Sequence, residues 1–387
     1  MAALSRSLVA PLLSLVLLIF ASGLFTTFIS VRLELGGFDV ETIGLVTSAA
    51  YVGILIGSLK SGKWISRLGH VRSFVLFALS LTGLILLQAI WVDPWFWAAL
   101  RLLGGICMAG VFVVIESWLL LEASSAQRGG ILAVYLAVFY GALSAGQLLI
   151  QLVDPSGISP FIVTAALTAA SVLPLSLQSI EAPKFSEPNP IKLFHFFKLS
   201  PLGFMGGVIS GMLLAVLYGL LPVYASQIGL PISQIGFLMA VLIFGGLSLQ
   251  WPIGRWADRG NRRFVLNIAS FLSAILGLCI ALQEPINFIA LFLLIGFFGG
   301  FSFTLYPLSM AYVCEKIEES QIVSATSGFV LSYGIGAIAG PLFGAFAMEH
   351  LGPTGLFYFL FFITAMLGCF GLYPSRSLKA ASEKIEE

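Results

Sequence analysis

Charge is scarce in this sequence: Asp, Glu, Lys and Arg make up 10% of its 387 residues, against 59% hydrophobic residues and a mean hydropathy of +1.03. That excludes a water-soluble globule, whose surface needs far more polar groups. Long polar stretches are nearly absent as well, so no soluble domain of any size is available to signal or to carry chemistry. Cysteine is limited to Cys107, Cys279, Cys314 and Cys369, in or at the ends of apolar segments without short ligand spacing. This argues against a zinc site and a disulfide framework, and the four read as small core residues. The net charge is +1 and the cations are scattered through short loops, which leaves no basis for a nucleic-acid partner. No nucleophile–base pair or metal cluster falls within the apolar segments, so the chain is read as non-enzymatic, with no cofactor or metal.

What is present is apolar sequence in twelve segments. They lie near residues 8–31, 42–66, 71–91, 95–121, 127–153 and 160–180, then 201–227, 233–257, 262–283, 286–314, 321–347 and 353–375. Each is near the length of about 20 residues that a spanning helix needs and too long for a barrel strand. Spanning backbone must satisfy its own hydrogen bonds, so helices are predicted throughout. The opening MAALSRSLVAPLLSLVLLIFASG has the basic start and apolar core of a signal peptide. Its apolar run continues to Ile29 without a small-x-small cleavage site, however, so a first membrane helix is the expectation.

Between the sixth and seventh segments lies EAPKFSEPNPIKLFHFFKLSP, the only long polar connection and the only proline cluster. The expected fold is an all-α membrane protein of twelve transmembrane helices in two pseudo-symmetric six-helix bundles. The first bundle covers 1–180, a linker 181–200, and the second bundle with a short tail 201–387. Within the linker, IKLFHFFK is expected to lie on the membrane with its phenylalanines down, Lys192 and Lys198 at the headgroups and His195 an interfacial ring. Placed on alternate sides of the spans, every lysine and arginine falls on one side except Arg32 opposite and Arg101 inside a segment. By the positive-inside rule that side is cytoplasmic, with both termini and the linker, and a bacterial inner membrane is the expected location.

The little charge there is clusters. GRWADRGNRR, Gly254 to Arg263, holds five charged residues in ten positions, and 192 residues earlier GKWISRLGHVR, Gly62 to Arg72, reads as a weaker copy. FYGALSAG, with Tyr140 and Gly141, lines up with SYGIGAIAG, with Tyr333 and Gly334, 193 residues on; Glu122 and Glu315 keep that offset. A parallel duplication of six helices places a substrate site between the halves near the bilayer midplane.

With these motifs the chain resembles the major facilitator superfamily of secondary transporters over nearly its whole length, in particular its bacterial drug and sugar branches. The family's loop motif G-x-x-x-D-R-x-G-R-R is matched by Gly254, Asp258, Arg259, Arg262 and Arg263, with Gly260 one place early. The first copy keeps Gly62, Arg67, Gly69 and Arg72 but has Ser66 in place of the aspartate. The resemblance implies a cytoplasmic gate in which glycine lets helices approach and Asp258 caps a helix start or pairs with arginine. The same charges can also be read as topogenic only. Arg101, Gly105 and Ala109 resemble the fourth-helix motif R-x-x-x-G-x-x-x-A, which is associated with proton-coupled members. The glycine-proline signature of the antiporter branches is missing from the fifth segment, where Gln147 follows Gly146, and a similar run, GIGAIAGPLFG, stands in the eleventh.

An arginine inside an apolar helix is costly unless it faces a partner or a wet cavity, which makes Arg101 a functional candidate; snorkelling to the surface near Trp95 and Trp97 is the alternative. Glu116 is the second charge inside the fourth segment. Fifteen residues leave it about 60° from Arg101 around the helix and about 22 Å along it, so both can face a cavity but cannot pair. A carboxyl in apolar surroundings is a candidate proton carrier, or else a structural partner of the fifth helix. Thr26, Tyr51, Tyr140, Gln147, Gln151, Tyr218, Gln250, Trp251, Tyr306 and Tyr333 are the polar and aromatic candidates for lining a cavity.

The expected function is secondary transport of a small solute by alternating access, driven by a proton gradient, with amphipathic or drug-like substrates exported. Import of a sugar or other small metabolite is the alternative; a receptor or intramembrane enzyme is disfavoured. A small-molecule substrate and the lipid bilayer are the expected partners, and one protomer is expected to suffice.

Overall fold

The computed structural model describes residues 6–122, 128–177, 193–283, 285–316 and 322–373. Their regular structure is helical throughout. The first half comprises α1 (Arg6–Leu35), α2 (Val40–Leu68), α3 (His70–Gln88), α4 (Pro94–Glu122) and α5 (Arg128–Gln147, continued by a 3-10 stretch Leu148–Leu152), then α6 (Ser159–Ala170) and α7 (Val172–Ser176). After the short α8 (Leu193–Leu199) come α9 (Pro201–Gln227), α10 (Ile232–Arg259), α11 (Arg262–Ala281), α12 (Phe288–Lys316), α13 (Ile322–Leu351) and α14 (Gly355–Leu372). Twelve helical stretches, with α6 and α7 counted as one, are long and apolar enough to cross a membrane. The chain is therefore a multi-pass membrane protein. The polar part of the linker, residues 178–192, and the tail beyond 373 lie outside the described residues.

Helix ends follow local chemistry. Asp39 caps α2, accepting a hydrogen bond from the Thr42 backbone N–H at 2.6 Å, and that bond holds its carboxyl below the usual carboxylate range. α2 stops at Gly69, whose φ of +80° lies in the left-handed region and whose N–H reaches the Ile65 carbonyl at 2.8 Å. The corresponding turn before α11 is built differently. Asn261, with φ −85°, caps α11 by accepting from Phe264 N–H at 3.3 Å, so no positive φ is needed and the displaced Gly260 carries no penalty.

Helices cross where side chains are missing. A Cβ on Gly53 of α2 would fall 1.9 Å from the Leu102 carbonyl oxygen of α4, and one on Gly105 of α4 would fall 2.1 Å from the Ala50 oxygen of α2. Gly245 of α10, 192 residues after Gly53, meets the Gly296 oxygen of α12 at 2.0 Å in the same way. The α1–α5 crossing uses Gly23 and Gly146, and the α9–α13 crossing uses Gly211 and Gly336. With lipid as apolar as the side chains, close backbone approach supplies the dispersion contact that holds such helices together. The internal repeat is thus visible in the packing as well as in the loops.

The chain forms two compact units, Met1–Glu187 with Leu217–Phe244, and Pro188–Val216 with Gly245–Glu387. In the first, Ser226 Oγ donates to Glu34 and Ser144 Oγ donates to the Ala240 carbonyl at 3.0 Å. In the second, Phe196 of α8 is fully buried against Val313, Ala325 and Phe329. The expectation that the phenylalanines of this segment face the membrane fails for Phe196, because a protein pocket buries the ring more completely than an interface can. Phe197 stays exposed, edge-on to Phe204.

Gly53→Val is expected to destabilise the fold by about 1–3 kcal/mol or more, since backbone must move to admit the side chain. Gly83→Ala, where a Cβ would meet nothing within 4 Å, should be neutral or stabilising. Thermal unfolding of the two variants in one detergent checks the contrast.

Candidate functional site

Inside the first unit, α1, α2, α3, α4 and α6 surround a cavity of about 110 Å³. Arg101 lines it, its guanidinium lying over the Phe25 ring at 5.5 Å from the centroid, with Tyr51 on the same wall system. Among the described residues, Arg101 Nε is buried without a hydrogen-bond partner, and so is Gln88 Oε1. The hydroxyls of Ser22, Thr26, Thr164 and Thr168 also face the space, but each donates to a carbonyl of its own helix, at 3.0, 3.0, 2.7 and 2.8 Å. Their lone pairs remain available; their protons are spent. Arg101 therefore turns inward instead of snorkelling. Trp97 is buried, its indole N–H held by the Gln88 and Trp91 carbonyls at 3.1 and 2.9 Å, and Trp95 alone stays exposed.

The fourth-helix pattern has two structural jobs. Gly105 seats α4 on the α2 backbone, and Ala109 Cβ lies 2.8 Å from where a Gly57 side chain would begin, so the small residues make the helix contact that carries Arg101 to the cavity wall. Glu116 is elsewhere. It does not line the cavity, and it accepts a hydrogen bond from Tyr135 Oη of α5 at 2.8 Å. Tyr135 continues into a ladder of rings, Phe139 at 6.2 Å and then Tyr140 and Phe112 at 5.4 and 5.8 Å from Phe139.

Of the other lining candidates, Thr26 and Tyr51 share the cavity with Arg101, whereas Tyr140, Gln147 and Tyr218 do not. Gln147 is buried and accepts from Thr27 Oγ1, with its Nε2 unpartnered. Gln151 sits exposed in the 3-10 stretch. In the second unit, Tyr306 packs edge-on against Tyr333 at 5.2 Å and Phe329 at 5.1 Å. Trp251 is 69% exposed, with Arg255 stacked on it at 4.8 Å, and Gln250 is half-buried beside it.

The second loop motif is a knot of ion pairs in the second unit. Arg262, the first residue of α11, pairs with Asp258 at 3.0 Å and with Glu315 of α12 at 3.7 Å, and donates to the Ala311 carbonyl at 3.3 Å. Arg263 donates to the carbonyls of Gly371, at 2.7 Å, and Tyr373. Arg259 is exposed, and a Cβ on Gly254 would meet nothing within 4 Å, so this glycine is not the site of a close helix approach. In the first copy, Arg67 and Arg72 are exposed, Gly62 is half-buried and Gly69 makes the turn. His70 opens α3 where Arg262 opens α11. It is buried, its Nε2 3.0 Å from Ser117 Oγ of α4 and its ring edge-on to Trp118.

His70, Tyr135 and Gln88 were not singled out from the sequence. For His70 the signal was available, since it falls 192 residues before Arg262, in the register of the repeat.

The chain matches the family model of the Major Facilitator Superfamily over residues 1–246 and again over 203–387. It is 36% identical over 355 residues to the MFS-type transporter YcaD of Escherichia fergusonii, covering 91% of this chain and 92% of that protein. It is 35% identical over 359 residues to the YcaD of Shigella flexneri, with the same coverage. Among solved structures, the D-xylose-proton symporter superposes with a TM-score of 0.76 at 13% identity, over 94% of this chain and 97% of that one. The nucleoside transporter NupG superposes with a TM-score of 0.75 at 14% identity, over 97% and 98%. At such identities the structural matches establish the fold alone.

The exposed Asp258–Arg262 pair contributes at most about 1 kcal/mol, so Asp258→Asn should leave the melting midpoint nearly unchanged. Arg262→Ala also removes the links to Glu315 and the Ala311 carbonyl and should cost more, about 1–2 kcal/mol. Equal midpoints for the two variants in differential scanning fluorimetry would show that Arg262 is not the knot.

Proposed function

The chain belongs to the Major Facilitator Superfamily, and from that premise we propose that it is a proton-coupled secondary transporter that exports a small amphipathic solute by alternating access. It works in the bacterial inner membrane with both termini inside, needs no cofactor beyond the proton gradient and acts as a monomer of two six-helix bundles joined at 181–200. The bias of lysine and arginine to one side supports the orientation. The observation that carries the coupling is the Glu116–Tyr135 pair. A carboxyl deep in a span with a phenol 2.8 Å away can exchange a proton and still keep a hydrogen-bond partner in either state. Arg101 keeps a fixed positive charge in the same bundle.

The knot at Asp258, Arg262 and Glu315 serves as the gate on the cytoplasmic side. Its pairs are exposed enough to break and remake at little cost, which suits an element that must alternate. Asp258→Asn is then expected to slow turnover severalfold while folding is kept; unchanged turnover removes the gating role.

Glu116→Gln keeps the shape and loses the titration. In proteoliposomes assayed against a solute panel, it should still exchange labelled for unlabelled substrate but no longer drive net movement in response to an imposed pH gradient. Exchange needs only the loaded carrier to change face, whereas net movement against a gradient needs a group that loads and releases a proton on opposite sides. If both activities persist, the proton travels elsewhere; if both vanish, Glu116 belongs to folding or binding. The sign of the pH response in the wild type distinguishes export from import.

A further inference from the structure

The Arg101 cavity is electrically unbalanced. Among the described residues, no Asp or Glu lines it. On the five helices that form it, the acidic residues are Glu34 of α1, Glu41 of α2, and Glu116 and Glu122 of α4; α3 and α6 have none. Glu34 lies eight residues beyond Thr26 and Glu41 nine before Ala50, about 12 Å or more along their helices from the cavity lining, and Glu116 is about 22 Å from Arg101. Glu34 and Glu116 are, in addition, engaged by Ser226 and Tyr135. A guanidinium held in apolar surroundings without a counter-charge is among the most costly arrangements in a protein. The Phe25 ring face offsets only a small part of that cost.

The donors among the lining residues are Arg101 and Tyr51, while the serine and threonine hydroxyls, their protons committed to helix carbonyls, offer only lone pairs. The volume, about 110 Å³, is well above the roughly 10–15 Å³ that one water needs, and apart from Gln88, whose Oε1 is an unpartnered acceptor, the remaining wall is apolar, with Phe25, Ile54, Leu81 and Met108. We propose that this cavity is a binding site for one monovalent anion, either a small inorganic ion or the carboxylate group of an organic acid, held by Arg101 with Tyr51 as a second donor. A divalent anion would trade one unbalanced charge for another. The site lies wholly within the first unit, so binding does not depend on the transport reading above.

The test uses the full-length protein in nanodiscs and follows the melting midpoint against bromide, formate, acetate and benzoate, with sulfate as the divalent comparison at equal ionic strength. The wild type should show a saturable rise of several degrees with monovalent anions, reduced in Tyr51→Phe and Arg101→Lys and lost in Arg101→Gln. An equal rise in Arg101→Gln, or a larger rise with sulfate, overturns the proposal, since either is a general salt effect. Should Arg101→Gln fail to fold, a bromide-soaked wild-type crystal decides: an anomalous peak at the guanidinium supports the site, and no peak rules it out. Counterflow in vesicles separates the sources. Organic acids that both stabilise the protein and compete for transport mark the carboxyl end of a cargo, whereas stabilisation by halide without competition marks a resident ion.

Discussion

In hydrocarbon an unsatisfied peptide group costs several kcal/mol, so the backbone must close its hydrogen bonds within each helix before any other choice is made. Everything else in this protein follows from the state that leaves. Helices whose polar groups are already used have little to offer one another but surface. They associate where surface can come closest, at Gly53, Gly105, Gly245 and Gly296, with carbonyl oxygens where side chains would otherwise stand. A few side-chain charges are then free to be placed for reasons other than folding, because burying them never helps it.

The same constraint explains what was legible in the sequence. Hydropathy reports whether a segment can sit in lipid, and the twelve spans follow from it to within a few residues of their ends. It says nothing about direction around the helix axis. α8 shows the limit: its composition fits an interfacial helix, but Phe196 is claimed by a pocket formed by α12 and α13, far away in sequence. The sixth segment shows another, ending α6 at Ala170 and continuing as the separate short α7.

The candidate site was readable in outline and not in grouping. That Arg101 and Glu116 are unusual follows from their depth in an apolar run; that Arg101 meets Tyr51 and Phe25 while Glu116 meets Tyr135 depends on which helices pack on which face of α4. Repeat register is the stronger guide. It pairs Gly53 with Gly245 and His70 with Arg262, and in both cases the structural roles correspond.

Where the two halves differ, the difference is electrostatic. Shifted by 192 or 193 residues, Arg101 falls on Leu293 or Leu294 and Glu116 on Leu308 or Ser309, so α12 carries no charge at either depth. Conversely, the second half keeps the ion-pair knot, with Asp258, Arg262 and Glu315, while the first copy has Ser66 and a histidine hydrogen-bonded to a serine. The first half places charges deep in a span, and the second places an ion-pair knot at its loop. A duplicated scaffold permits this because glycine crossings maintain the packing in both halves, leaving charge placement under no packing constraint. A charge inside a span carries a desolvation cost that only a ligand, a proton or a buried partner can offset, whereas a charge in a loop pairs and unpairs at almost none. Placing the buried charges and the ion-pair knot in different halves separates the groups proposed for binding and coupling from those proposed for opening and closing.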